Sequence, residues 1–155
     1  MDVRFINPFL EATIDVLKTM AFVEPMPGKP YLKKDDLAKG DVSGIIGFTG
    51  VATGSMALSF SEGCILKIVS NMLGEEIKEI NGDIKDAVGE ITNMVSGSAR
   101  QKLESLGMSI SAAIPTVIAG KGHSVSHIMS GPSIIIPFET DQGSFVVDIC
   151  MSDIK

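Results

Sequence analysis

The segment from Asp83 to Leu106 constrains this chain more than any other, because it reads as one long amphipathic helix. Ile84, Val88, Ile91 and Val95 recur at spacings of three and four, and Ala99 and Leu106 drift along the same side. At about 100° per residue, Asp86, Glu90, Asn93, Gly97 and Glu104 fall on the opposite side. One face belongs to a core and the other is available for something else. Glu90 and Asn93 are three apart, so their side chains leave the helix one turn from each other and can address one object. Gly89 and Gly97 flank them, although a glycine inside a helix costs about 1 kcal/mol against alanine. Low relief beside a carboxylate and an amide suits a docked partner.

The remainder of the chain must supply what that apolar stripe packs on. With 155 residues, the expectation is a single domain over 1–155 that buries most of its apolar surface. Apolar residues make up 45%, but there is no Trp and one Tyr, so the core is aliphatic, helped by seven Phe and nine Met. A net charge of −6 and the scarcity of stacking aromatics exclude a nucleic-acid footprint. No apolar run approaches the roughly 20 residues of a membrane span. The N-terminus lacks a basic region followed by an apolar one, so a cytoplasmic protein without membrane insertion is expected. Cys64 and Cys150 lack metal or redox spacing and read as reduced core thiols.

In chain order, Asn7-Pro8 is read as opening a first helix that runs to about Met20 on Phe9, Leu10, Thr13, Ile14 and Leu17. Pro25, Pro27 and Pro30 end it and leave an extended connector through Tyr31 and the Lys33–Asp36 charge cluster. Gly44, Gly47, Gly50 and Gly54 punctuate the next segment. Ile45–Phe48 and the alternating Met56, Leu58 and Phe60 predict an antiparallel hairpin there. These glycines are not a phosphate loop, because no Gly-Lys-Ser/Thr follows and a strand comes next instead of a helix. Ser61 is placed as the cap of a helix carrying Ile65, Ile68, Val69, Met72 and Leu73, and Gly74 is placed at its end. Asn81-Gly82 turns the chain and Asp83 is read as the cap of the long helix. Strands follow at Met108–Ile114, Pro115–Ala119, Ser133–Phe138 and Gly143–Met151, with prolines marking edges and strand starts. This order predicts an α+β layer arrangement on a mainly antiparallel sheet. A long helix precedes a strand set in each half, a faint sign of internal duplication.

Candidate chemistry is sparse. His123 and His127 share one face at a spacing of four, but no carboxylate or thiol nearby completes a metal shell. No Gly-x-Ser-x-Gly is present and neither cysteine has a neighbouring base. Asp86, three after Asp83, reads as an N3 acid supporting the helix start. Glu90 and Asn93 have no such explanation. Asn is a mediocre helix former; its amide offers a donor and an acceptor together, which suits orienting a water molecule. A carboxylate one turn away suits a partner's Lys or Arg.

The run Asp86-x-x-x-Glu90-x-x-Asn93, continuing Met94-Val95-Ser96-Gly97, resembles the D/S-x-x-x-E-x-x-N signature of the CheC/CheX/FliY chemotaxis phosphatases. The opening Ile6–Phe9, the glycine-rich hairpin from Gly47 to Phe60, and Pro115–Gly120 are similar to the CheX-like members of that family. The resemblance spans nearly the whole chain. It implies a two-layer α/β sandwich with internal duplication, two long helices lying on the sheet. It also implies hydrolysis of the aspartyl phosphate on the response regulator CheY or a CheY-like relative. On that reading Asn93 orients the attacking water and Glu90 pairs with the regulator's active-site lysine, while Asp86, Gly89 and Gly97 belong to the partner-binding surface. No cofactor or metal is then expected on this chain, since the Mg²⁺ belongs to the regulator. The same spacing on the first helix gives Asn7, Glu11 and Ile14, which lacks the asparagine, so one site per chain is implied. The family also implies a homodimer formed through the sheet, for which the apolar C-terminal strand and its prolines leave room. Two rival readings remain. One is a non-catalytic module docking to a receiver domain or the flagellar switch; the other is a small-molecule site at the glycine-rich hairpin.

Overall fold

The computed structural model describes residues 2–33, 39–125 and 132–154. A 3-10 turn, Val3–Phe5, leads into α1 (Ile6–Ala21). The chain then makes two short strands, β1 (Met26–Pro27) and β2 (Tyr31–Leu32), and the hairpin β3 (Lys39–Gly50) and β4 (Gly54–Phe60). Helices α2 (Glu62–Leu73) and α3 (Gly82–Ser105) follow, then β5 (Ile110–Ala112), β6 (Thr116–Ser124), β7 (Ile134–Thr140) and β8 (Gly143–Met151). All strand pairs are antiparallel, in the order β1-β7-β8-β4-β3-β5, with β2 also on β7 and β6 also on β3. The fold is α+β, with the helices covering one face of the sheet.

The duplication suggested by the sequence is legible in that order. Exchanging β1 with β5, β2 with β6, β3 with β7 and β4 with β8 returns the same sheet read backwards, about a centre between β4 and β8. Each half is one long helix followed by four strands, and α2 joins the halves.

Between the layers lies one apolar core. Met56, Leu58 and Phe60 of β4 and Phe145, Val147 and Ile149 of β8 point to the helices, as alternation requires. Phe138, Phe145 and Phe60 form a cross-strand ladder with ring centroids 4.9 and 5.0 Å apart. From the helices come Phe9, Ala12, Val16 and Leu17 of α1, Ile65, Ile68 and Val69 of α2, and Ile84, Val88, Ile91, Val95, Ala99 and Leu103 of α3. Leu103 replaces Leu106 on the stripe. Leu106 is the C-cap residue, with non-helical backbone, and its side chain is exposed.

α3 sits unusually low on β3. A Cβ on Gly44 would overlap the Thr92 hydroxyl and come within 3.2 Å of Val88 Cγ1. Thr92 itself is fully buried, its hydroxyl satisfied by donating to Val88 O at 2.7 Å.

Several helix starts differ from the sequence reading. α1 begins at Ile6, after a turn capped by Asp2 accepting from Arg4 N, so Asn7 is inside the helix and not its cap. Pro8 is tolerated there because N–H groups of a first turn have no intrahelical acceptor anyway. Ser61 occupies the N-cap position of α2 without a capping bond; its hydroxyl donates to Ser144 O. Asp41 of β3 accepts from Glu62 N instead, at 2.8 Å, and also from Gly122 N of β6 at 2.9 Å. Those two backbone donors hold the Asp41 carboxyl below the usual carboxylate range. α2 ends as expected, with Gly74 left-handed at φ 69°. The cap of α3 is Asn81, whose Oδ1 accepts from Ile84 N at 3.0 Å; Asp83 lies in the first turn. Asn caps as well as Asp, and the extended backbone at residue 81 lets Gly82 enter the helix. Asp86 is therefore at N5, two residues past the N3 position.

A second, smaller buried layer lies on the sheet's other face. Lys33 Nζ reaches buried Asp148 at 2.9 Å and donates to Val125 O at 2.6 Å. Lys34, Asp35 and Asp36 of the expected charge cluster, and His127, lie outside the described residues.

Gly44→Ala is expected to destabilise the protein by about 1–3 kcal/mol, since α3 must lift off β3 to admit the methyl group. Urea denaturation checks this; an unchanged midpoint would show that the close seating is not required.

Candidate functional site

α3 carries its exposed residues where the helical period puts them. Asp86, Glu90, Asn93 and Glu104 are exposed and Gly97 partly so, while Ile84, Val88, Ile91 and Val95 are fully buried. Rigidity comes from that burial, so the outward side chains stand on a fixed platform. Glu90 and Asn93 are about 4.5 Å apart along the axis. Among the described residues, neither side chain has a hydrogen bond or ion pair within the chain.

The matching place on α1 is built differently. Asn7 and Glu11 are exposed, but Ile14 packs against the core. Lys102 of α3 lies 3.3 Å from Asp15 and 4.0 Å from Glu11, so the α1 carboxylates already face a cation of their own chain. Glu90 has no such cation beside it among the described residues.

The two glycines beside the pair are not equivalent. A Cβ on Gly97 would meet nothing within 4 Å, so the helix surface there is open. A Cβ on Gly89 would approach Val117 Cγ2 at 3.5 Å, an ordinary contact, which places Gly89 at the seam between α3 and β6. The outer stripe holds one further charged side chain. Arg100 follows Asn93 by seven positions and projects from the same side; that spacing was the signal that could have found it.

The other candidates separate from this face. His123 Nδ1 donates to Gly120 O at 2.7 Å, leaving Nε2 to accept from the Ser43 hydroxyl at 2.6 Å. Ser43 is fully buried and also bonded to Ser59 at 2.8 Å, so this Ser–His pair is closed to a substrate and ties β6 to β3 and β4. Both cysteines are buried, and burial pushes the Cys64 thiol up to about 11. Among the described residues, no three His, Cys, Asp or Glu side chains stand close enough to hold a metal ion. No helix among them is long and apolar enough to cross a membrane. A cavity of about 820 Å³ lies beside α2 between Phe22, Asn71 and Gln142 and shares no residue with the α3 face.

A rigid convex helix presenting a free carboxylate and a free amide suits a protein that acts on another macromolecule, the class this fold and site define. Comparison with known sequences gives the family. A profile described as "Chemotaxis phosphatase CheX" matches residues 42–139. The CheY-P phosphatase CheX of Thermotoga maritima is 33% identical over 122 residues, covering 78% of this chain and 79% of that protein. The chain belongs to the CheX family of chemotaxis phosphatases. Among solved structures, chemotaxis protein CheX from Desulfovibrio desulfuricans superposes with a TM-score of 0.92 at 47% identity, over 97% of this chain and 100% of its own. The CheX–CheY–BeF3–Mg²⁺ complex from Borrelia burgdorferi superposes at 0.82 with 27% identity, over 98% and 100%.

Gly97→Leu is expected to leave the fold intact or slightly more stable, because the side chain meets nothing and leucine favours helix by several tenths of a kcal/mol over glycine. It should weaken capture of a beryllofluoride-loaded CheY-like receiver. Calorimetric titration with a parallel melting curve separates the two effects, and unchanged affinity would remove the clearance role.

Proposed function

We propose that this chain hydrolyses the aspartyl phosphate of a CheY-like response regulator and so terminates a chemotaxis signal in the cytoplasm. The observation that carries the reading is the pair Glu90 and Asn93, exposed and unpartnered on a rigid face of α3 in a CheX-family chain. The relative from Thermotoga maritima acts on CheY-P, and the Borrelia burgdorferi relative was crystallised with CheY, both of which support a receiver domain as the partner.

The chemistry asks little of this chain. An aspartyl phosphate is an acyl phosphate and already activated, so catalysis reduces to placing a water in line with the P–O bond and keeping it there. Asn93 does this by accepting a hydrogen bond from the water through its amide oxygen, while the amide NH₂ remains free to donate to the receiver. Glu90, one turn earlier, pairs with the receiver's active-site lysine by a charge-assisted hydrogen bond and holds the amide in register. Asp86, released from a capping role, extends the acidic surface by a further turn. The Mg²⁺ sits in the receiver, where it neutralises phosphoryl charge. One site per chain follows from Ile14 occupying the asparagine position on α1.

The fold without Asn93 chemistry would be a docking module only, and the amide distinguishes the two. Asn93→Ala is expected to reduce the accelerated loss of phosphate by at least about 100-fold while melting within about 0.5 kcal/mol of wild type, since its side chain is exposed and free. Glu90→Ala should chiefly raise the receiver concentration needed for half-maximal rate. Phosphate release from a phosphorylated receiver with Mg²⁺ measures both, and full activity in Asn93→Ala would remove the catalytic assignment.

The chain also pairs with a second copy through its sheet. β8 lies inside the sheet between β4 and β7, so it offers no free edge for such pairing. β6 can: among the described residues it pairs with β3 alone, and it is largely exposed, including Ile118 at 42%. Ile118→Lys should shift sedimentation from dimer toward monomer. A monomeric wild-type chain at micromolar concentration would exclude this assembly.

A further inference from the structure

The stripe bearing Asp86, Glu90 and Asn93 continues past Gly97 to Arg100 and Glu104. By the helical period Arg100 lies within about 20° of Asn93 and about 10 Å farther along the axis. It is partly buried and lines a pocket of about 160 Å³ with Gly97, Gln101, Glu104, Ser109 and Ile110. Among the described residues its Nε is buried without a hydrogen-bond acceptor, and the guanidinium forms no ion pair. The other cations packed into this molecule behave differently. Lys102, half a turn away on the same helix, faces Asp15 and Glu11, and Lys33 is matched with Asp148. A guanidinium that lines a polar pocket and has no ion pair among the described residues can take an incoming carboxylate through its terminal N–H groups.

Resting on the phosphatase reading of α3, we infer that Arg100 is a docking residue that takes a carboxylate of the receiver domain into this pocket and so fixes the register in which Asn93 meets the phosphoryl group. Glu90 and Arg100 are ten residues and about 15 Å apart, with opposite signs: one end of the face takes a cation and the other an anion. A receiver docked in the reverse sense would set like charge against like at both ends. Arg100 is therefore a positioning and specificity residue for the reaction.

Steady-state dephosphorylation over a range of phosphorylated-receiver concentrations tests this, because it separates KM from kcat. Arg100→Glu should raise KM about tenfold or more, each decade being roughly 1.4 kcal/mol, with kcat within about twofold. Arg100→Lys should recover much of the loss, and raising the salt should narrow the gap between wild type and variant. Melting curves accompany each variant; if Arg100→Glu fails to fold, Arg100→Gln carries the test, with a rise of several-fold expected. Folded variants with wild-type KM, the behaviour of a guanidinium that is merely solvated, overturn the inference and leave the phosphatase reading standing. A wild-type chain inert toward the phosphorylated receiver overturns both.

Discussion

The close seating of α3 on β3 is the constraint from which the functional face follows. Only a glycine at position 44 lets the helix descend until Thr92 and Val88 touch the strand. Once there, Ile84, Val88, Ile91 and Val95 are sealed against the sheet, and the helix has no freedom to roll. Because the period is fixed, the direction of Glu90 and Asn93 is fixed with it. The aromatic ladder of Phe60, Phe138 and Phe145 lies under the layer on the β4–β8 side and keeps the sheet from shearing beneath it. Precision at the surface is thus inherited from the core.

Pseudo-symmetry makes the difference between the two halves plain. The two long helices occupy related places on a sheet that reads the same from either end. On α1 the third position of the triplet is Ile14, drawn into the core, and the acidic side chains beside it face Lys102. On α3 the equivalent groups remain exposed and uncommitted. Chemistry with an external partner needs groups whose charge and hydrogen-bonding capacity are not already used, and α3 alone offers them in the right pattern. Arg100 extends this logic, since it too is left unmatched by its own chain.

How much of this the sequence carried depended on whether the determinant was local. The apolar period of α3, the alternation in β4 and β8 and the glycine ending α2 are local patterns, and each appears in the structure where it was expected. Caps were less readable, because the choice among Asn81, Gly82 and Asp83 is settled by one backbone conformation and because α2 takes its cap from Asp41, 21 residues away in sequence. That displacement leaves Asp86, on the outer face with Glu90 and Asn93, without a capping role. Position in the sheet was not readable either: β8 is strongly apolar because it is interior, and apolar character alone does not distinguish a centre from an edge. The Glu90–Asn93 pair was legible as unexplained polarity on a helix, whereas its freedom from internal partners could be seen only in three dimensions.

The central claim is that the amide of Asn93 meets the phosphorylated site of a receiver. Its most direct test is nuclear magnetic resonance of the ¹⁵N-labelled chain titrated with a CheY-like receiver activated by beryllofluoride and Mg²⁺. The side-chain amide of Asn93 should shift or broaden at saturation together with backbone amides from Asp86 to Glu104, while those around Glu11 and the cavity at Phe22 remain in place. Saturation of binding with the Asn93 side-chain resonances unmoved, and the changes gathered at α1 or at that cavity, would contradict the account.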